Sequence, residues 1–319
     1  MMRRRVIDRG LAPLVVASVA IAACGDSGAR SATLERERAT TTSAPATSST
    51  TESPPTTGVV APPPAPTGPH PSVMAEATSP DELAARLVDA ERRIADPATP
   101  AADVAGWGRA QQVAYRQLVV RPDWHDVVRA AVPHDVRPIL EANLHAGSLL
   151  RSMLKEPMEE LPRWEIVAPP SPAELLTHYQ AAEAEFGVPW AYLAAINLVE
   201  TRMGRIRGLS SSGAQGPMQF MPATWSAYGE GDVNDHRDAI RAAARYLVRN
   251  GAPHDMPNAL WNYNHSDKYV AAVTTYAERM TASPRAYEAY WGWQVFYVTV
   301  GGDLLLPEGW IHPEGAVTG

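Results

Sequence analysis

From about Gly25 to Ser72 the chain carries hardly a large apolar side chain. "TTTSAPATSSTTESPPTTG" and "APPPAPTGPHPS" consist of Thr, Ser, Pro, Ala and little else. Such a composition cannot bury enough apolar surface to offset the entropy of ordering the backbone. Segment 24–75 is therefore expected to be a disordered tether, and every core must be built from the residues after it. As a flexible coil, ~50 residues reach roughly 40 Å, and the Pro-rich part stretches further. Cys24 is the only cysteine. No intrachain disulfide is available, so the fold stands on packing. The length that remains is enough for one or two domains.

Ahead of the tether, "MMRRR" supplies positive charge, and Leu11 to Ala23 form an apolar run too short to span a bilayer. Segment 1–23 reads as an export signal. It ends in "IAAC", which resembles the lipobox of bacterial lipoproteins. That resemblance implies lipidation at Cys24 and a chain exported and anchored to the outer face of the cytoplasmic membrane, in the cell-wall space. A plain secretory peptide with an incidental cysteine is the other reading. The net charge of −7 argues against nucleic acid as a partner. Eleven Tyr and nine Trp against three Phe suit surfaces that need an apolar face and a hydrogen bond, although ordinary core aromatics account for most of them.

The rest reads as mainly α. In "SPDELAARLVDAERRIADP", Ser79 is a cap, Pro80 suits the first turn, and Leu83, Leu87 and Ile94 recur at helical spacing. Further helices are expected near 101–119 and 135–155. Segment 76–168 shows no chemistry; its histidines lack tight metal-ligand spacing, and its expected role is a helical platform. Over 169–284 four helices stand out. The first is capped by Ser171 and ended by Gly187, and the second runs from Pro189 to near Gly204. The third carries Ile240, Ala243, Ala244, Leu247 and Val248, and the fourth starts after Ser266. Extension 285–319 has short β-like runs around Gly301 and Gly302, expected to form a small hairpin or an extended flap.

Glu200 is the acidic residue of "NLVETRMGRIRGLSSSGAQGPMQFMP". Leu193, Ile196, Asn197 and Met203 share its helix face. Burial and the partly negative helix end both disfavour its charged form, as a general acid requires. The spacing fits two readings: a proton donor, or a buried glutamate paired with a polar neighbour. Downstream, Gly213 and Gly216 let backbone approach a ligand closely. Gln219 offers both a donor and an acceptor.

"ET", then "S-x-x-G-A-x-G-x-M-Q-x-M-P-x-T", then "NYN", in that order, resemble the bacterial lytic transglycosylases with a lysozyme-like catalytic domain. The resemblance covers Leu175 to Thr281. Its order also looks like that of exported actinobacterial members. It implies a lysozyme-like helical catalytic domain packed on the N-terminal helical segment. It also implies cleavage of peptidoglycan glycan strands between N-acetylmuramic acid and N-acetylglucosamine, with no metal or cofactor. Cell-wall synthesis or division proteins would be further partners. Carried over, Glu200 matches the catalytic acid and Ser210 the motif serine, with Ser211 and Ser212 leaving its register open. Gln219 and Met221 match residues that contact sugar. Tyr263 matches the tyrosine that hydrogen-bonds the glutamate, and Asn264 follows it. Thr201 replaces the common serine after the glutamate. Ser266 stands where the family usually has glycine, which puts the shape of that loop in doubt. A lone acid fits transglycosylation, in which the substrate's own groups replace a second carboxylate. A hydrolytic muramidase using Asp232 or Asp235, and a silent peptidoglycan-binding lipoprotein, are the alternatives.

Overall fold

The computed structural model describes residues 76–154 and 156–317. The expected export segment, the expected tether and Cys24, the position expected to be lipidated, lie outside the described residues. Among those described, no helix is long and apolar enough to cross a membrane.

Four helices come first: α1 (Pro80–Ala95), α2 (Ala101–Val119), α3 (His125–Ala131) and α4 (Arg137–Arg151). The Ser79 hydroxyl accepts from the Glu82 N–H at 3.2 Å, and Pro80 opens α1, where its missing N–H costs nothing. Leu83 and Leu87 of α1 pack with Leu118, Val128 and Leu140 in a small core of their own. Helix α3 was not expected, because seven residues are too few to establish a helical period.

The second group is α5 (Pro172–Phe186), α6 (Trp190–Thr201), α7 (Pro222–Tyr228), α8 (His236–Arg249), α9 (Met256–Tyr263) and α10 (Asp267–Ala282). The caps expected for α5 are present, and α8 carries a side-chain cap as well. Ser171 accepts from Glu174 N–H, Gly187 ends α5 in the left-handed conformation, and Asp235 accepts from Asp238 N–H. Helix α8 buries one face, with Ile240, Ala243, Ala244 and Leu247, and each such Leu or Ile contributes about 1.5–3 kcal/mol. Helix α6 differs in kind. Ten of its twelve residues are buried, so it is the central helix, packed against α5 and α10. It stops in three left-handed residues, Arg202, Met203 and Gly204. At Gly204 a side chain would collide with the His236 ring.

The N-terminal helices are joined tightly to the second group. Helix α4 packs along α10 and places Ala146 and Leu150 in the larger core. Helix α11 (Pro284–Trp291), where the sequence suggested the start of a β-like extension, lies against α2. Gln112 then grips the backbone of Gln294 from both sides, donating to its carbonyl at 2.9 Å and accepting from its N–H at 2.8 Å. From there the chain forms the expected hairpin. Strands β3 (Val295–Thr299) and β4 (Gly302–Leu306) are antiparallel, with Val295 opposite Leu306 and Thr299 opposite Gly302. A second pair, β1 (Glu165–Ile166) and β2 (Ile206–Arg207), ties the segment before α5 to the chain leaving α6.

Candidate active site

Glu200 lies in the last turn of α6 and is 2 % exposed. Its face is the apolar one expected, since Leu193, Ile196, Asn197 and Met203 are all buried. The Tyr269 hydroxyl, in the first turn of α10, donates to Glu200 Oε1 at 2.7 Å. Burial first, and then the negative charge of Glu200, hold the Tyr269 phenol well above its ordinary pKa. Tyr269 therefore stays protonated and keeps its role as donor.

This corrects the sequence-based expectation for Tyr263. The Tyr263 hydroxyl donates to the Met218 carbonyl at 2.7 Å. A phenol has one proton, and here it is committed to the loop backbone. Tyr263 is 2 % exposed and its ring lies parallel to that of Tyr269, with centroids 6.5 Å apart. It thus stands behind Tyr269 and fixes the loop. Glu200 is close enough for its charge to act on Tyr263 as well, second to burial.

The loop is fastened to α6 at the Pro217 carbonyl and at the Met218 sulfur, to which Asn197 Nδ2 also donates at 3.2 Å. Asn197 Nδ2 and Thr201 Oγ1 both donate to Pro217 O, at 3.0 and 2.6 Å. Thr201 Oγ1 also accepts from the Gly204 N–H at 3.0 Å, so one hydroxyl closes the helix end and holds the loop. Gly216 adopts φ +71°, and a Cβ there would strike the Val233 carbonyl. Gln215 and Phe220 exchange backbone hydrogen bonds at 2.9 and 2.8 Å and close the turn between them. Within it Gln219 is left-handed at φ 52°, 5 % exposed, and its side-chain amide donates to Gly216 O at 3.0 Å. Met221 is the half-buried residue that opens α7.

Ser210 organises the approach to this turn, its hydroxyl accepting from the N–H groups of Ser212 and Ala214 at 3.2 and 2.9 Å. Asn264 ends α9 and is buried, and its carbonyl accepts from the Ser266 N–H at 2.6 Å. Ser266 is in extended backbone at φ −147°, so this loop does not need the family's glycine. Asp232 and Asp235 do not approach Glu200 through any hydrogen bond. Asp232 accepts from the Asn234 N–H, and Asp235 caps α8. Arg205 is drawn to Glu308 at 3.3 Å, and Arg202 donates to the Leu198 carbonyl at 2.6 Å. Burial lowers the Arg202 pKa, while Tyr276 and Glu200 raise it.

The site thus combines a buried carboxyl at a helix end, a phenol donating to it, and a glycine loop clamped beside it. Sequence reasoning passed over Tyr269, Asn197 as a clamp, and the double use of Thr201. The signal for Asn197 was its place on the Glu200 face.

Residues 178–282 match a family model described as the Transglycosylase SLT domain. No curated protein and no solved structure matches the chain. The matched span contains Glu200, the loop through Gln219 and Met221, Tyr263 and Tyr269. Residues 178–282 are a lytic transglycosylase domain of lysozyme-like, mainly helical fold that acts on peptidoglycan.

Proposed function

We propose that the chain cleaves the β-1,4 bond between N-acetylmuramic acid and N-acetylglucosamine as a lyase, leaving 1,6-anhydromuramic ends. The observation that carries this reading is the Tyr269 hydroxyl on Glu200 Oε1, 2.7 Å, at a buried helix end beside the clamped loop.

Glu200 donates its proton to the glycosidic oxygen as the C1–O bond breaks. The 2-acetamido group of the substrate stabilises the positive charge left at C1. The Glu200 carboxylate then takes the proton of the muramic C6 hydroxyl, and O6 bonds to C1. Glu200 ends protonated as it began, and no water is consumed. Tyr269 holds the carboxyl in register for both transfers. Ser210, Gln219, Met221 and Asn264 line the approach and bind the sugars.

Mass spectrometry of muropeptides released from sacculi tests the product. Anhydro ends, lighter by one water than reducing ends, are expected. Reducing ends would make the enzyme a muramidase and end the lyase assignment.

The N-terminal sequence supports a location as well: exported, and held at the outer face of the cytoplasmic membrane through a lipid on Cys24. Cys24→Ala is expected to release the protein from the membrane fraction. A variant that stays bound through a carbonate wash refutes the anchor.

A further inference from the structure

A cavity of about 70 Å³ lies among α2, α4, the end of α6, α10 and β3, and neither Glu200 nor Tyr269 lines it. Three guanidinium groups do: Arg116 of α2, Arg151 at the end of α4, and Arg202 just past α6. Asp303 of β4 pairs with Arg116, and with Arg151 at 2.5 Å. Three cations face this one carboxylate, with Glu200 acting on Arg202 from outside the cavity, in a chain whose net charge is −7. Arg202 is 8 % exposed and donates through Nη1 to a backbone carbonyl, Leu198 O. Arg116 Nε is buried and has no hydrogen-bond partner among the described residues. The three cations also act on one another. Burial foremost, then Arg202 and Arg151, push Arg116 down to about 10 against the pull of Asp303.

The remaining walls are apolar or aromatic, with Val119, Leu150, Tyr276, Trp293 and Phe296 among them. The Arg116 guanidinium stacks over the Phe296 ring, 4.4 Å from its centroid. Arginine forks match a carboxylate in two-point geometry. A dianion such as phosphate holds its water more strongly, and these walls offer little to replace it.

We infer that this cavity is a binding site for a small carboxylate carried on a compact apolar body, with Arg151 and Arg202 as its cationic partners. Asp303 already shows how a carboxylate sits between two of these arginines. The ligand is a free organic acid or the carboxylate end of a peptide, and the two share this chemistry.

Calorimetric titration of the full chain decides, with benzoate, N-acetylalanine and inorganic phosphate as probes. Saturable binding of benzoate or N-acetylalanine at or below ~10 mM, tighter than phosphate, is expected. Benzoate alone identifies a free acid, and N-acetylalanine alone a peptide end. Arg151→Gln, at a partly exposed side chain, should weaken binding by ~tenfold or more without loss of fold. Gly147→Leu fills the cavity and leaves every charge in place, since Gly147 lines it and a Cβ there meets only Val119 Cγ2 at 3.2 Å. It should abolish binding, and if it does not fold, Arg151→Gln decides alone. No saturation by either carboxylate, tighter binding of phosphate, or unchanged affinity in Arg151→Gln overturns the inference.

Discussion

Glu91 and Glu200 are each 2 % exposed, and each accepts a hydrogen bond of 2.7 Å from a tyrosine. By burial and partner they are twins, yet their settings differ. Glu91 lies inside α1, and the oxygen that accepts from Tyr115 also accepts from Gln111 Nε2 at 2.9 Å. Gln111 in turn accepts from the Trp293 indole at 3.1 Å. This network joins α1, α2 and the chain entering β3, and its product is a fixed interface. Glu200 stands where a helix stops, beside a glycine loop that α6 itself clamps at Pro217. A buried carboxyl with a phenol on it is therefore not enough to make an acid catalyst. What differs is the setting, a helix end with a clamped glycine loop in one case and a closed interface between helices in the other.

The largest test of this contrast is the pair Glu200→Gln and Glu91→Gln. Glu200→Gln keeps the shape and cannot donate the proton, so digestion of sacculi should fall by about 10²–10⁴-fold or more, because one group serves as acid and then base. Glu91→Gln should digest sacculi at close to the parent rate. Equal losses in the two variants would break the comparison, and near-parent activity in Glu200→Gln would remove the acid.

The next effect separates the two stacked tyrosines. Tyr269→Phe deletes the donor to Glu200 and should cut kcat by roughly tenfold or more with little change in substrate affinity. The alkaline limb of its pH–rate profile, where Glu200 loses the proton it must donate, should also move to higher pH, since the lost hydrogen bond favoured the charged form. Tyr263→Phe leaves the buried Met218 carbonyl without its donor and should cost about 1–3 kcal/mol of stability, seen as a lower Tm. Its pH–rate profile should stay in place. A shifted profile in Tyr263→Phe with none in Tyr269→Phe would reverse the assignment.

The sequence carried one of these twins and not the other, for a physical reason. Glu200 was legible because an apolar helix face, a helix stop and a glycine turn follow one another along the chain. The N-caps of α1 and α5 were legible for the same reason, being set by residues three apart. Glu91 gave no signal, because Gln111, Tyr115 and Trp293 come from other elements. The choice between Tyr263 and Tyr269 was hidden too. One ends α9 and the other begins α10, and only their packing, with ring planes 3° apart, decides which hydroxyl faces Glu200. Helix α11 was missed because "YEAYWGW" is rich in aromatic residues that also suit strands. Strands β1 and β2, two residues each, are too short for alternation to show.

The smallest effect is read from Glu91 by stability alone. Burial raises the Glu91 pKa, and the hydrogen bonds from Gln111 and Tyr115 oppose this only in part. A carboxyl whose folded pKa is raised binds its proton more tightly in the folded state. Its contribution is therefore fully present below the unfolded pKa of about 4.3 and is lost as pH rises through the folded value. Gln at this position is neutral at every pH, and its oxygen can still accept from Gln111 and Tyr115. At pH 4, where both side chains are largely uncharged, Glu91→Gln and the parent should agree within about 1 kcal/mol. As pH rises toward 7.5 the parent alone must hold or neutralise a buried charge, so the stability of Glu91→Gln should gain on it. Thermal or urea unfolding across that range measures the difference. A gap that narrows or stays flat would mean that Glu91 ionises freely in the folded protein. The interface network would then owe its order to packing around a charge that Arg279, a cation acting on it, helps to satisfy.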